Sequence, residues 1–171
     1  MQRAMIFIDG TNLFYRLEAE KLMVPSILAL FTQFSCVAEM REIVRVYLYS
    51  VQERVDLALR QHGAECLQGI RVVLGDGIKK PDGNIAEKGV DALLVADLVY
   101  HAASRNCDVA IVISTDTDFT FAIKRVEDFG CRTAVGGICS EIPERLKRSS
   151  DRTFTITADD ILNAHLARRR S

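Results

Sequence analysis

Met5-Ile-Phe-Ile-Asp9-Gly-Thr-Asn12 is a hydrophobic run that halts at a carboxylate, with an asparagine three residues further on. So short an apolar run, ended by Gly10, reads as a strand buried on both faces. The same shape returns in Asp108-Val-Ala-Ile-Val-Ile-Ser-Thr-Asp116-Thr-Asp118-Phe119, where a second apolar strand runs into two more acids. In an open α/β sheet, ligands bind beyond the carboxyl ends of the strands, where the strand order reverses. Acids delivered there from remote parts of the chain point to a shared site for a hard metal ion.

The segments around these two strands alternate between strand and helix. Residues 12–20 begin a helix, and 24–38 hold a second helical pattern after Pro25, with Ile27, Leu28, Leu30, Phe31 and Phe34 at 3–4 spacing. Residues 43–51 are β-branched and aromatic and read as a strand; 52–62 read as a helix closed by Gly63. A third strand is expected at 70–74, followed by a loop over 75–84 on composition. Residues 88–104 form a strong helix with Val90, Leu93, Leu94, Leu98 and Ala102 on its apolar side. After the strand at 108–114 come a helix at 118–129 closed by Gly130 and a strand at 131–135. A short helix at 140–148, a strand at 153–156 and a last helix at 159–168 complete the chain.

Such alternation with near-continuous hydrophobic strands predicts an α/β fold, a mainly parallel sheet with helices on both faces. Right-handed crossovers then place every strand's carboxyl end on one edge, so Asp9 shares an edge with Asp116 and Asp118. Whether their two strands are neighbours is left open by the sequence. One domain over residues 1–171 is expected, with a core at about 4–156 and a C-terminal helix at about 159–168.

At 171 residues, a single domain buries about 70% of the surface its unfolded chain exposes. The 49% hydrophobic and 26% charged residues suit an ordinary globular protein. The apolar runs are strand-length, so no membrane-spanning helix is expected, and no signal peptide precedes the Asp9 segment. Cys36, Cys66, Cys107, Cys131 and Cys139 are scattered, with no CxxC pair, and read as reduced thiols of a cytoplasmic protein.

A net charge of −1 gives no global case for nucleic-acid binding. Its distribution says more. Lys79, Lys80 and Lys88 flank the mid-chain acids, and Arg145, Lys147 and Arg148 cluster later. A basic rim around an acidic centre suits a phosphodiester substrate. The terminal Arg168, Arg169 and Arg170 read instead as solvated surface.

Asp9, Asp91, Asp116 and Asp118 are the candidate metal ligands. Asp9 precedes Gly10 and serves equally well as a turn residue or cap. Asn12 is more often an N-cap than a ligand. Asp91 lies one turn into its helix, where the macrodipole gives it a structural reason to be there. Asp116 and Asp118 are harder to explain without a ligand, because neighbouring acids past a buried strand repel unless a cation or helix N-terminus compensates. Asp97, six steps of about 100° further along the helix than Asp91, reads as support for the site or as surface. Lys88 is a candidate phosphate contact, although a lysine starting a helix is usually solvated. His62, His101 and His165 show no partner pattern, and no aromatic stacking platform is legible: Phe14, Tyr15 and Tyr100 read equally as core.

Taken together, these residues resemble the NYN domain, the LabA-like branch of the PIN-like nuclease superfamily. The matching motifs are Phe7-Ile8-Asp9-Gly10-Thr11-Asn12-Leu13, Glu87-Lys88-Gly89-Val90-Asp91 with Asp97, and Val112-Ile113-Ser114-Thr115-Asp116-Thr117-Asp118-Phe119. Ser140, Leu146 and Asp151-Arg-Thr-Phe154 give a looser echo, so that order and spacing agree over about 4–156. The resemblance implies a PIN-like (Rossmannoid) three-layer fold and Mg²⁺- or Mn²⁺-dependent endoribonuclease chemistry on RNA. It implies Asp9, Asp91, Asp116 and Asp118 as catalytic metal ligands, with Asn12, Lys88 and Ser114 toward the substrate. Where the family usually carries small glycines around the second acid pair, this chain has Thr115 and Thr117.

Two other readings stand beside this one. A non-catalytic regulator binding RNA or protein would keep the acids for folding or a passive ion. Asp116-Thr-Asp-Phe-Thr120 also fits the DxDxT opening of haloacid-dehalogenase-type phosphatases, with Asp116 as nucleophile and Asp118 as acid/base. That motif normally opens its domain, and it leaves Asp9 unexplained. Homodimerisation is left open by the sequence.

Overall fold

In the computed structural model, which describes residues 1–34 and 41–171, the strand that opens the chain is β1 (Gln2–Asp9). Ala4, Ile6 and Ile8 of β1 point into one hydrophobic cluster, and Met5 and Phe7 into a second on the opposite face. Alternate residues of a strand face opposite sides, so a strand apolar at every position must be covered twice. Burying a side chain such as Ile6, Phe7 or Ile8 contributes roughly 1.5–3 kcal/mol each.

The remaining elements follow in order: α1 (Gly10–Ala19), β2 (Leu22–Met23), α2 (Ile27–Phe34), β3 (Arg41–Ser50), α3 (Gln52–His62) and β4 (Arg71–Leu74). Then come β5 (Asp76–Lys79), β6 (Ile85–Lys88), α4 (Val90–Ala103) and β7 (Val109–Ile113). A short 3₁₀ turn at Thr117–Phe119 leads into α5 (Thr120–Glu127), β8 (Arg132–Ile138), α6 (Glu144–Lys147), β9 (Arg152–Ile156), α7 (Ala158–Asn163) and β10 (Arg168–Arg169).

Six strands form one sheet in the order β4-β3-β1-β7-β8-β9, every pair parallel. Leu13 and Leu17 of α1, Ile27, Leu30 and Phe31 of α2, Val55 of α3 and Ile161 of α7 pack on one face. Val90, Leu94, Leu98 and Ala102 of α4, Ala122, Ile123 and Val126 of α5 and Leu146 of α6 cover the other. This is the expected three-layer α/β architecture. The chain builds outward from β1 through β3 to β4, then returns to start again at β7 on the other side. The sheet's switch point therefore lies between β1 and β7, which pair in register from Ala4↔Val109 to Ile8↔Ile113.

Three expectations need correction. Residues 75–84 are not a plain loop: β5 and β6 form an antiparallel ribbon from Asp76↔Lys88 to Lys79↔Ile85. The side chains of β5 are all exposed, so no alternating apolar signal betrays it. Lys88 ends β6 instead of starting the next helix, because Gly89 breaks the chain with a left-handed φ of 80° before α4 begins at Val90. The last helix stops at Asn163, not 168; after His165 at φ 59°, Arg168 and Arg169 pair with Met23 and Leu22 as β10. A left-handed histidine gives no glycine-like stop signal to read. The part of the second expected helix at 35–38, and Cys36 with it, lie outside the described residues. Among those described, Cys66, Cys107, Cys131 and Cys139 are free thiols, and no helix is long and apolar enough to cross a membrane.

Candidate metal and substrate site

β1 ends at Asp9 because that residue becomes the N-cap of α1: its Oδ1 accepts the backbone N–H of Asn12 at 3.2 Å. Gly10 must follow, since a Cβ there would sit 2.7 Å from the Tyr49 carbonyl oxygen of β3. Next door, Ser114 follows the last residue of β7 and donates its hydroxyl to Asp9 Oδ2 at 2.8 Å. The same Ser114 Oγ accepts the backbone N–H of Asp116 at 3.0 Å. Asp116 in turn caps the 3₁₀ turn, its Oδ1 taking the N–H of Asp118 at 2.9 Å. Asp9 and Asp116 are thus joined through one buried hydroxyl, at the switch point.

Asp9, Asp91 and Asp116 line one open cleft of about 360 Å³, together with Thr11, Asn12, Tyr15, Arg54 and Glu87. Asp9 is 6% exposed. Burial pushes its carboxyl up to about 6; the hydrogen bonds from Ser114 and Asn12 work against that rise, and the charges of Asp91 and Asp116 add to it. Asp91, in the first turn of α4, is also shifted upward, first by partial desolvation and then by Asp116, Glu87 and Asp118. Asp9 and Asp91 are thus each pushed up in part by neighbouring carboxylates, which marks a cleft short of positive charge.

The donors are hard oxygen ligands, which suits Mg²⁺ or Mn²⁺ and argues against softer metals. Among the described residues, no three acidic, histidine or cysteine side chains stand close enough to enclose an ion as they are. Mg²⁺ keeps several waters and usually takes one or two carboxylates plus substrate phosphate. On this donor set, Asp9, Asp91 and Asp116 would hold the ion.

The other candidates are placed differently. Asp118 is exposed, does not line the cleft, and reaches it through its backbone N–H to Asp116 and its charge on Asp91. Asn12 is not the cap; Asp9 is, which frees the Asn12 Nδ2 to donate to Thr115 Oγ1 at 3.0 Å. Ser114 is 1% exposed and touches Asp9 and Asp116 rather than the cleft. Lys88 is exposed and does not line the cleft. Asp97 accepts the hydroxyl of the fully buried Tyr49 at 2.8 Å, which ties α4 to β3 beside the site.

Three residues carry the site without having been singled out from the sequence. Arg54, one turn into α3, pairs through Nε with Glu87 Oε1 at 2.8 Å. Thr11 donates its hydroxyl to the same Glu87 oxygen. Arg54 follows β3, the strand beside β1, so the strand-end rule applied there would have found it. Glu87 stood inside a quoted motif, and Thr11 directly after Asp9-Gly10. A separate depression on the α5–α6 side is lined by Phe121, Lys124, Arg145 and Arg148, with Glu144 paired to Arg148. The terminal arginines turn back on α1 instead: Arg169 donates to the Glu20 carbonyl at 2.8 Å, and Arg170 pairs with Glu18. His62 is buried and accepts the N–H of Val24 through Nδ1, as a structural histidine.

No curated protein sequence matches this chain. Among solved structures it is similar to the crystal structure of a protein of unknown function from Vibrio parahaemolyticus, at 22% identity and a TM-score of 0.65. That likeness covers 92% of this chain and 94% of the other, and it bears on the fold alone. The sequence model of the NYN domain matches residues 3–158, a span that runs from β1 to the start of α7 and includes every acid of the cleft. The chain belongs to the NYN domain family, a nuclease-like branch of the PIN-like fold.

Proposed function

We propose that this protein is a divalent-metal-dependent ribonuclease that hydrolyses RNA phosphodiester bonds internally, at the cleft between the ends of β1 and β7. The observation that carries the reading is the convergence of Asp9, Asp91 and Asp116, from three separate parts of the chain, on one open cleft. Mg²⁺ or Mn²⁺ bound there supplies an activated water and charge neutralisation for the leaving oxygen. Asp9 and Asp116 are held in place by Ser114, so their orientation is set before substrate arrives. Asp118 shapes the Asp116 turn and adds negative charge at the rim. Arg54 lines the cleft and offers N–H groups to a phosphate oxygen.

The test incubates labelled single-stranded and hairpin RNA with the purified protein in Mn²⁺, Mg²⁺ or EDTA. Cleavage is expected with either metal, none in EDTA, and a fall of at least about 100-fold in folded Asp9→Asn and Asp116→Asn proteins, since their catalysis is mainly electrostatic. RNA that binds but stays intact in every metal supports the regulator reading instead. Equal cleavage by wild type and both variants identifies a contaminant and removes the assignment.

A further inference from the structure

Tyr15 stands 67% exposed on α1, at the lip of a cleft otherwise lined by charged and small polar groups. Beside it opens a second cavity of about 180 Å³, between α1 and α3, walled by Phe14, Glu18, Leu57, Ala58 and Gln61, the Glu18 carboxylate being paired with Arg170. This groove shares Thr11, Tyr15 and Arg54 with the acidic cleft, so the two form one continuous depression. Its lining is mostly apolar, whereas charged and hydrogen-bonding side chains dominate the residues of the cleft. Leu57 is 46% exposed there, and Phe14 is braced from behind by His62 at 5.8 Å between ring centroids.

We propose that the α1–α3 groove is a nucleobase subsite, holding one unpaired base of the RNA whose phosphodiester lies among Asp9, Asp91 and Asp116. The inference rests on the ribonuclease reading and adds how the strand is gripped. A nucleotide is a flat base with a stackable π-face, joined through its ribose to an anionic phosphate, and the depression has the same order: a largely apolar slot, then Arg54, then the acids. The cavity is smaller than the roughly 300–1,000 Å³ of drug-sized sites, and it suits a single ring system. Arg16 lies over the Tyr15 ring, 5.6 Å from its centroid, covering one face and leaving the aromatic side chain poised as a platform. Glu87 fixes Arg54 at the junction by their 2.8 Å ion pair. Every base has a π-face, so stacking here selects single strands over duplex without choosing a sequence.

The experiment compares wild type, Tyr15→Ala and Tyr15→Phe on a fluorescein-labelled 12-nucleotide single-stranded RNA, both by cleavage kinetics in Mn²⁺ and by anisotropy on an Asp9→Asn background. Tyr15 is exposed, so its truncation leaves the core intact. Tyr15→Ala is expected to raise KM and Kd about tenfold with kcat within about twofold, and Tyr15→Phe to keep both constants. At one position along the RNA, an abasic nucleotide should bind wild type and Tyr15→Ala equally weakly. Unchanged KM and Kd in Tyr15→Ala, on an RNA that wild type cuts, overturns the subsite and leaves the nuclease reading standing. A Tyr15-dependent Kd on an RNA that wild type never cuts supports the subsite and overturns hydrolysis. Absence of both binding and cleavage overturns both.

Discussion

Burial lifts the Asp9 carboxyl from its usual 3.8 to about 6, even though Ser114 and Asn12 both donate to it. A carboxyl whose folded-state pKa is raised binds its proton more tightly in the native state than in the unfolded one, so native stability is gained as pH falls through about 6 towards 3.8. Ionised and metal-free at neutral pH, Asp9 destabilises the fold by about 3 kcal/mol on that shift. In EDTA, the Asp9→Asn protein is therefore expected to resist urea better than wild type at pH 7, with the two converging near pH 4. Curves that stay parallel across that range would contradict the assignment. Ser114→Ala should act in the opposite sense. It strips a hydroxyl from Asp9 and leaves the Asp116 N–H without its acceptor, which costs about 1–3 kcal/mol. Urea denaturation of that variant, in chelator and with Mn²⁺ added, gives the loss and shows whether metal affinity falls with it.

Between β1 and α1 the chain has room for glycine alone. A methyl at Gly10 meets the Tyr49 carbonyl at 2.7 Å and Leu48 at 3.0 Å, both in the neighbouring strand. Because backbone cannot swing aside as a side chain does, Gly10→Ala is expected to lose about 1–3 kcal/mol. A midpoint of urea unfolding equal to wild type would show that β3 can yield. The elements that carry this geometry were legible because they are doubly buried: β1, β3 and β7 announce themselves as apolar runs, and α3 ends at Gly63 as its sequence says. The acids at strand ends were legible for the same reason, Asp9 closing its run and Asp116 following two small hydroxyl residues after the other. What stayed hidden is exposed or long-range. The β5–β6 ribbon has no inward face, and β10 pairs with β2 across almost the whole chain. Arg54 could be read as a helix surface charge until its partner Glu87 came beside it. Tyr15 could not be told from core by pattern, since its exposure depends on where α3 lies.

β1 and β7 are the central pair of the sheet, each bonded on both sides and covered on both faces. Protection from hydrogen exchange follows burial and ladder position, so amides of Ile6, Ile8, Ile111 and Val112 are expected to be the slowest in the molecule. Those of the β5–β6 and β2–β10 ribbons should exchange orders of magnitude sooner. Mass-resolved exchange tests it, and a β5–β6 ribbon as protected as β7 would mean that it is covered by something else. The same central pair has a consequence for synthesis. Asp9 and Ser114 are 105 positions apart, and Asp116 comes later still. A chain stalled on the ribosome before β7 emerges carries Asp9 beside β3, and Asp91 on α4, but not the strand that brings Ser114 and Asp116 to them. Such truncated products therefore leave Asp9 without the Ser114 hydroxyl that orients it, and the acidic centre is completed only once the turn at Asp116 has been made.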